Sequence, residues 1–173
     1  MALVLREHEG EPEALFIRRA VHEADRWSGD IAFPGGRVDS AAEEPRAAAE
    51  RETLEEVGID LASAEYLGRL DDLGGSSESL VVSAFVYGLT AAPGLRLNHE
   101  VEDARWLSLA EIASPARHAS SEFDYLDRHI ELPGLRVFDD EAPLLWGLTY
   151  RFLEIFMKLL ERPIPTMPWR FEL

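Results

Sequence analysis

Residues Gly35 to Asp60 read GGRVDSAAEEPRAAAERETLEEVGID, and this stretch decides how the rest of the chain is understood. A glycine pair opens it, a polar loop follows, and a run of helix formers stops at Gly58. Pro45 suits a first helical turn, where its missing N–H would have had no partner. Gly58 suits the left-handed residue just past a helix end. Side chains three and four apart share a helix face, so Glu52, Glu55 and Glu56 bring their carboxylates into one small volume. Like charges this close repel unless something offsets them. A divalent cation does so, and hard carboxylate oxygens suit Mg²⁺, with Mn²⁺ as the second candidate. The alternative is a solvated acidic face, the common state of such clusters.

The company the glutamates keep argues for the metal. Gly36, Arg51-Glu52, Glu55-Glu56, Gly58 and Ile59 together resemble the Nudix box, here spanning residues 36–59. Two positions depart from that pattern. The loop from Gly36 to Arg51 is one residue longer, which leaves Glu43 and Glu44 as alternatives for its loop glutamate, and Thr53 stands where an aliphatic is usual. The resemblance implies an α/β class fold, the Nudix α/β/α sandwich with a mixed central sheet, and a hydrolase acting on a phosphoric anhydride. It implies Glu52, Glu55 and Glu56 as catalytic metal ligands, with the Gly36 backbone as a further oxygen ligand. It casts Arg51 as the residue that orients a glutamate through an ion pair. The general base stays open among Glu56, Glu55 and a carboxylate near Glu100.

Upstream, Arg19-Ala20, Gly29 and Phe33-Pro34-Gly35-Gly36 resemble the signature that precedes the box in the coenzyme A pyrophosphatase branch. The part from Gly29 to Gly36 fits, while the interval from Arg19 to Gly29 is one residue longer. Leu70-Asp71-Asp72-Leu73, Phe85-Val86-Tyr87 and Trp146-Gly147-Leu148-Thr149 with Arg151 resemble the same branch. The implied reaction is Mg²⁺-dependent cleavage of coenzyme A or its thioesters to 3′,5′-ADP and an (acyl)phosphopantetheine. Another nucleoside diphosphate derivative, such as ADP-ribose or NADH, is the alternative. A non-catalytic Nudix-fold binding or regulatory module is the third reading, and the complete REtlEE-G core weighs against it. Arg19, Arg26 and Arg37, with Gly35 and Gly36, are the candidate substrate-binding residues, because guanidinium forks match phosphate oxygens. The same arginines, with Arg18, would equally balance the acidic helix.

Composition agrees with a small enzyme. At 173 residues the chain is expected to form one domain, 1–173, with room for a real core. It has no cysteine, which excludes disulfides and thiolate metal sites and suits a reducing compartment, so a cytoplasmic location is expected. No apolar run reaches the ~20 residues that cross a bilayer, and no charged-then-apolar leader opens the chain. A formal net charge of −16 disfavours a general nucleic-acid binder, since phosphate backbones demand basic surface. The expected partner is a small nucleoside diphosphate derivative, with no nucleic acid and no membrane. A homodimer is compatible with the sequence.

Outside the box, Ala2–Arg6 and Ala14–Arg19 read as a β-hairpin about a Gly/Pro turn, followed by a polar loop over Ala20–Asp30. Glu65–Leu70 and Leu80–Leu89 are strand-like, the second apolar enough for a central strand covered on both faces. Asp71–Ser79 reads as a connector. Glu100-Val101 and Trp106-Leu107-Ser108-Leu109 resemble a segment common in Nudix chains, although Asp103 stands where a second acid is usual. Glu100, Glu102 and Asp103 are each read as surface or capping carboxylates, with an extra ligand or a base as the alternative. Ser108, with Glu111 three residues on, predicts a helix N-cap. Residues 113–139 read as irregular except for a strand at His129–Leu132, and His118, Tyr125 and His129 are candidates for a base or pantetheine pocket. A last helix is expected at about 143–162, with Leu145, Leu148, Phe152, Ile155, Phe156 and Leu159 as its core stripe. An extended tail follows Pro163.

Overall fold

Ala2-Leu3-Val4, Ala14-Leu15-Phe16-Ile17 and Phe85-Val86-Tyr87 are apolar at successive positions, so their strands need cover on both faces. The computed structural model, which describes residues 1–22, 27–75, 80–91, 93–125, 128–139, 142–167 and 170–171, provides that cover. Strand β1 (Ala2–His8) and β2 (Glu11–Arg19) form the expected antiparallel hairpin, and the short β3 (Ile31–Ala32) pairs with the end of β2. Helix α1 (Pro45–Val57) follows, then β4 (Glu65–Arg69), β5 (Leu73–Gly74), β6 (Val81–Val82) and β7 (Phe85–Leu89). Next come β8 (Val101–Ser108), the short α2 (Leu109–Ala113), β9 (His118–Tyr125) and β10 (Arg128–Leu135). Helix α3 (Gly147–Leu159) and β11 (Arg170–Phe171) close the chain.

The main sheet is mixed. β1 runs parallel to β7 and β4 lies antiparallel on the far side of β7. One edge of β2 carries β8, while the other carries β1 at its start and β3 at its end. Alternation sorts the side chains. Leu3, Ala14, Phe16 and Val86 point into a cluster with Tyr150, Phe152, Leu153 and Phe156 of α3 and Leu109 and Ile112 of α2. Ala2, Val4, Leu15, Ile17, Phe85 and Tyr87 point the other way, onto Ala49 and Val57 of α1. The result is the α/β/α sandwich with a mixed sheet that the resemblance implied. No helix among the described residues is long and apolar enough to cross a membrane.

Four expectations are corrected. The apolar run Leu80–Leu89 is not one strand: Ser83 and Ala84 separate β6 from β7, and only β7 joins the main sheet, with cover on both faces. Val81 is 64% exposed, because among the described residues β6 pairs only with β5, which lies in the stretch read as a connector, in a separate two-stranded ribbon. The stretch read as irregular contains β9, which pairs along its whole length with β10. The last helix starts at Gly147 rather than Pro143. Leu145 exchanges both backbone hydrogen bonds with Leu135 at 2.9 Å, which holds residues before Gly147 extended. The helix also ends early, at Leu159: Glu161 takes φ 57 and Arg162 N–H closes on the Met157 carbonyl at 2.9 Å. Its buried face is Thr149, Tyr150, Phe152, Leu153, Phe156 and Met157, so Leu159, 68% exposed, is not core.

The capping box at α2 is as expected. Ser108 Oγ accepts from Glu111 N–H at 3.1 Å and the Glu111 carboxylate accepts from Ser108 N–H at 3.3 Å. Ser108→Ala should therefore lower unfolding free energy by about 1 kcal/mol in urea titration, without changing the m-value. An unchanged midpoint would remove the cap from the account of α2.

Candidate active site

Helix α1 shows why its residues form a helix and why it faces the sheet as it does. Pro45 occupies the first turn, Glu44 precedes it in extended geometry, and Gly58 ends it at φ 74 with its N–H on the Leu54 carbonyl at 3.0 Å. Ala48, Ala49, Thr53, Glu56 and Val57 form its buried side. Thr53 does the work of the usual aliphatic because its hydroxyl is satisfied internally, donating to the Ala49 carbonyl at 2.7 Å.

On that buried side Glu56 is only 2% exposed. The glycine pair meets it there. Gly35 N–H donates to Glu56 Oε2 at 2.8 Å, from a backbone at φ 140 whose missing Cβ would lie 2.6 Å from Met1 Cα, so no other residue fits. A Cβ on Gly36 would come within 2.4 Å of the Glu52 carboxyl carbon; glycine lets that carboxylate lie against the backbone. The third acid comes from the residue just before β8, the strand beside β2. Ligand-capable oxygens of Glu52, Glu56 and Glu100 all lie within 4.8 Å of one another.

Glu100 reaches this point because the segment before β8 is fastened to the end of α1. Arg96 N–H donates to the Val57 carbonyl at 2.9 Å and Asn98 N–H to the Glu56 carbonyl at 3.1 Å. The Asn98 side chain then accepts from Glu100 N–H at 2.8 Å, and the Glu100 carbonyl accepts from Ala20 N–H at 2.8 Å. Glu102 and Asp103, the other acids of this segment, instead flank Arg18 at 3.8 and 3.4 Å.

The electrostatics follow from burial. Desolvation above all, helped by the charges of Glu52 and Glu100 and opposed by the Gly35 N–H and Arg19, holds the Glu56 carboxyl up at about 7. Burial also raises Glu52, opposed by Arg51. Arg51 is the hub of the loop side. It bonds Glu43 at 3.0 Å, Glu52 at 3.0 Å, Glu55 at 3.4 Å and the Arg37 carbonyl at 3.2 Å. Its hydrogen bond to Glu43 is the main reason the guanidinium holds its proton more tightly than usual. Reciprocally, Arg51 and the Asp39 N–H hold Glu43 below the usual carboxylate range. The longer loop is thereby resolved: Glu43 faces Arg51, and Glu44 is the N-cap with no side-chain cap bond.

The structure therefore brings Glu52 and Glu56 together as expected and adds Glu100, while Glu55 stands apart on Arg51 with 53% of its side chain exposed. Arg19 lies on β2 opposite Val101, close enough for its charge to act on Glu56. Arg37 is exposed, with its carbonyl turned to Arg51, and Arg26 lies outside the described residues. His118 is not at this site: its ring nitrogens face Tyr150 Oη at 3.1 Å and the Ile112 carbonyl at 2.7 Å. The Tyr125 and His129 side chains lie outside the described residues. Clustered carboxylate oxygens with a backbone glycine beside them are a hard, all-oxygen donor set, which fits Mg²⁺ or Mn²⁺.

Arg51 touches Glu52 without joining the cluster, so its loss should act on metal affinity. Arg51→Ala should weaken Mg²⁺ binding by about 10–100-fold in calorimetric titration, as loss of a ligand-orienting partner does. An affinity within about twofold of the parent would reduce Arg51 to a surface ion pair.

The NUDIX domain profile matches residues 1–128. An uncharacterized protein of Schizosaccharomyces pombe is 39% identical over 121 residues, covering 65% of this chain and 37% of that protein. An uncharacterized Nudix hydrolase NudL of Yersinia pestis is 35% identical over 143 residues, 80% of this chain and 68% of its own length. Among solved structures, the NUDIX domain of Shewanella oneidensis NrtR, a complex with ADP-ribose, superposes with a TM-score of 0.55 at 15% identity, covering 92% of this chain and 84% of that one. The chain thus spans about a third of one curated relative and two thirds of the other. A sandwich of this topology, a braced glutamate pair on its box helix and a profile match over most of the chain have one reading: the chain belongs to the Nudix family, whose hydrolases act on phosphoric anhydrides.

Proposed function

We propose that the chain is a Mg²⁺-dependent pyrophosphohydrolase of nucleoside diphosphate derivatives, with coenzyme A or its thioesters as the substrate. The observation that carries the reaction type is the meeting of Glu52, Glu56 and Glu100 within 4.8 Å beside Gly36. The substrate assignment is supported by the residues from Gly29 to Gly36, by Leu70–Leu73, and by Trp146–Thr149 with Arg151, which resemble the coenzyme A branch.

In this reading Glu52 and Glu56 would hold the cation with the Gly36 carbonyl, Glu100 stands beside them as the base, and Glu55 completes the acidic face from its place on Arg51. Bound Mg²⁺ supplies charge neutralisation on the diphosphate and a lowered pKa for water. Arg51 fixes the Glu52 carboxylate, and Gly35 N–H fixes that of Glu56, so both point inward before substrate arrives. Glu100 is the exposed member of the three and takes the proton as a water oxygen attacks phosphorus and the bridging P–O bond breaks. Arg19, Arg26 and Arg37 offset phosphate charge in a protein that otherwise repels anions.

Product chromatography with Mg²⁺ and coenzyme A, acetyl-coenzyme A, ADP-ribose and NADH tests this reading. Release of 3′,5′-ADP from the coenzyme A substrates is the expected result. Turnover of ADP-ribose or NADH alone would move the specificity and keep the chemistry. No turnover, together with no Mg²⁺ binding in titration, would favour a binding or regulatory module.

A further inference from the structure

The carboxylates and arginines account for a cation and a diphosphate, but none of them recognises a base. At the same end of the sheet, Trp27 and Trp146 stand with ring centroids 6.1 Å apart and planes inclined by 44°. Trp27 is 38% exposed and Val21, on the same loop, 75%. Leaving apolar surface of this size in water is unfavourable. His22 N–H donates to Ser28 Oγ at 2.5 Å, and Asp30 N–H donates back to the Trp27 carbonyl at 3.2 Å. Opposite, Trp146 Nε1–H donates to Asp30 Oδ1 at 3.3 Å, which fixes the edge of the second ring.

The backbone ties this pair to the acidic site. The Asp30 carbonyl accepts from Arg19 N–H at 3.0 Å, and the next residue, Ala20, donates to the Glu100 carbonyl at 2.8 Å. β3 and β8 flank β2 here, so Asp30 and Glu100 are two strand spacings apart, about 10 Å, with Arg19 between them. A ribose and its phosphate bridge such a gap.

We propose that Trp27 and Trp146 form a shelf on which the planar nucleobase of the substrate stacks, the diphosphate then passing Arg19 to reach Glu52, Glu56 and Glu100. This deepens, and rests on, the reading of the site as a nucleoside diphosphate hydrolase. Two tilted indoles suit a flat heteroaromatic ring, and stacking needs no hydrogen-bond donor from the protein. A polyanionic partner such as nucleic acid is disfavoured at the shelf by the net charge of −16.

The test is intrinsic fluorescence of the full chain with Mg²⁺, titrated with AMP, ribose 5-phosphate and inorganic pyrophosphate, for wild type, Trp27→Ala and Trp27→Phe. AMP should quench and ribose 5-phosphate should not. Trp27→Ala should weaken AMP about tenfold, with Trp27→Phe recovering most of the loss, and should leave pyrophosphate affinity within about twofold. On whichever diphosphate is cleaved, Trp27→Ala should raise KM about tenfold with kcat within about twofold. Three results overturn the shelf: AMP affinity indifferent to Trp27→Ala, ribose 5-phosphate binding as tightly as AMP, or pyrophosphate weakened by the same factor as AMP. The two readings fail separately. AMP binding that depends on Trp27 in a protein that cleaves no diphosphate keeps the shelf and removes the hydrolase. Cleavage that Trp27→Ala leaves untouched does the reverse.

Discussion

Glu56→Gln should lower Mg²⁺-dependent hydrolysis by on the order of 10³-fold, because in the proposed metal site it removes one ligand charge and with it several kcal/mol of stabilisation. The variant should nevertheless fold. Glutamine keeps an acceptor for Gly35 N–H and has nearly the same volume in a site that is 2% exposed. Glu52→Gln should be similarly inactive, since Glu52 lies in the same cluster against Gly36. Glu55→Gln should cost no more than about tenfold, because its carboxylate sits on Arg51 outside that cluster and acts through orientation. Steady-state rates for the three variants at saturating Mg²⁺ check the order. An inactive Glu55→Gln beside an active Glu56→Gln would mean that the metal sits on the outer face of α1.

The same substitution makes a second, opposite prediction for stability. A Glu56 pKa raised from 4.5 to about 7 corresponds to roughly 3 kcal/mol. Between those values the unfolded chain has released the proton that the folded protein still holds. The folded state then binds more protons, so stability falls as pH rises. The contribution is fully present below pH 4.5 and gone above about 7. Burial lowers the pKa of His118, which gives a gain in stability as pH rises towards 6.5 and opposes the trend. The comparison of wild type with Glu56→Gln removes that shared part. Without metal, the variant should be more stable than the parent by about 3 kcal/mol at pH 8 and equal to it near pH 4.5. Urea titrations across that range with chelator present check this, and a constant difference would mean that Glu56 is not desolvated. Mg²⁺ should reverse the order at pH 8, because the ion binds the deprotonated ligand set.

What could be read from the sequence was mostly what is local. The positions of Glu52 and Glu56 relative to each other, the Pro45 start, the Gly58 stop and the Ser108 cap are all set by helix geometry over a few residues. Helix spacing also placed Glu55 on that face, but a face is broad: Glu55 sits on its flank, where Arg51 and solvent hold it. Glu100 was read as a surface acid because its approach depends on tertiary hydrogen bonds that no spacing announces. The paired strand β9, with sequence HASSEFDY, carries little apolar alternation and draws its structure from β10. Pro143 is a sound helix-start signal by itself; the backbone pairing of Leu145 with Leu135 overrode it.

The way Glu100 is held has a consequence for how such a site can be inherited. Arg96 and Asn98 close the end of α1 with their backbone, and Asn98 then sets Glu100 with its side chain. The third acid is thus registered to the helix that bears the other two, whatever route the chain takes between them. Length changes in the connection before Leu95 cost little closure entropy and leave the clamp untouched. A single insertion between Arg96 and Glu100 breaks it. Relatives should therefore differ freely in the first interval and keep the second fixed, so that the recognisable unit of this site is the box plus a five-residue segment far along the chain.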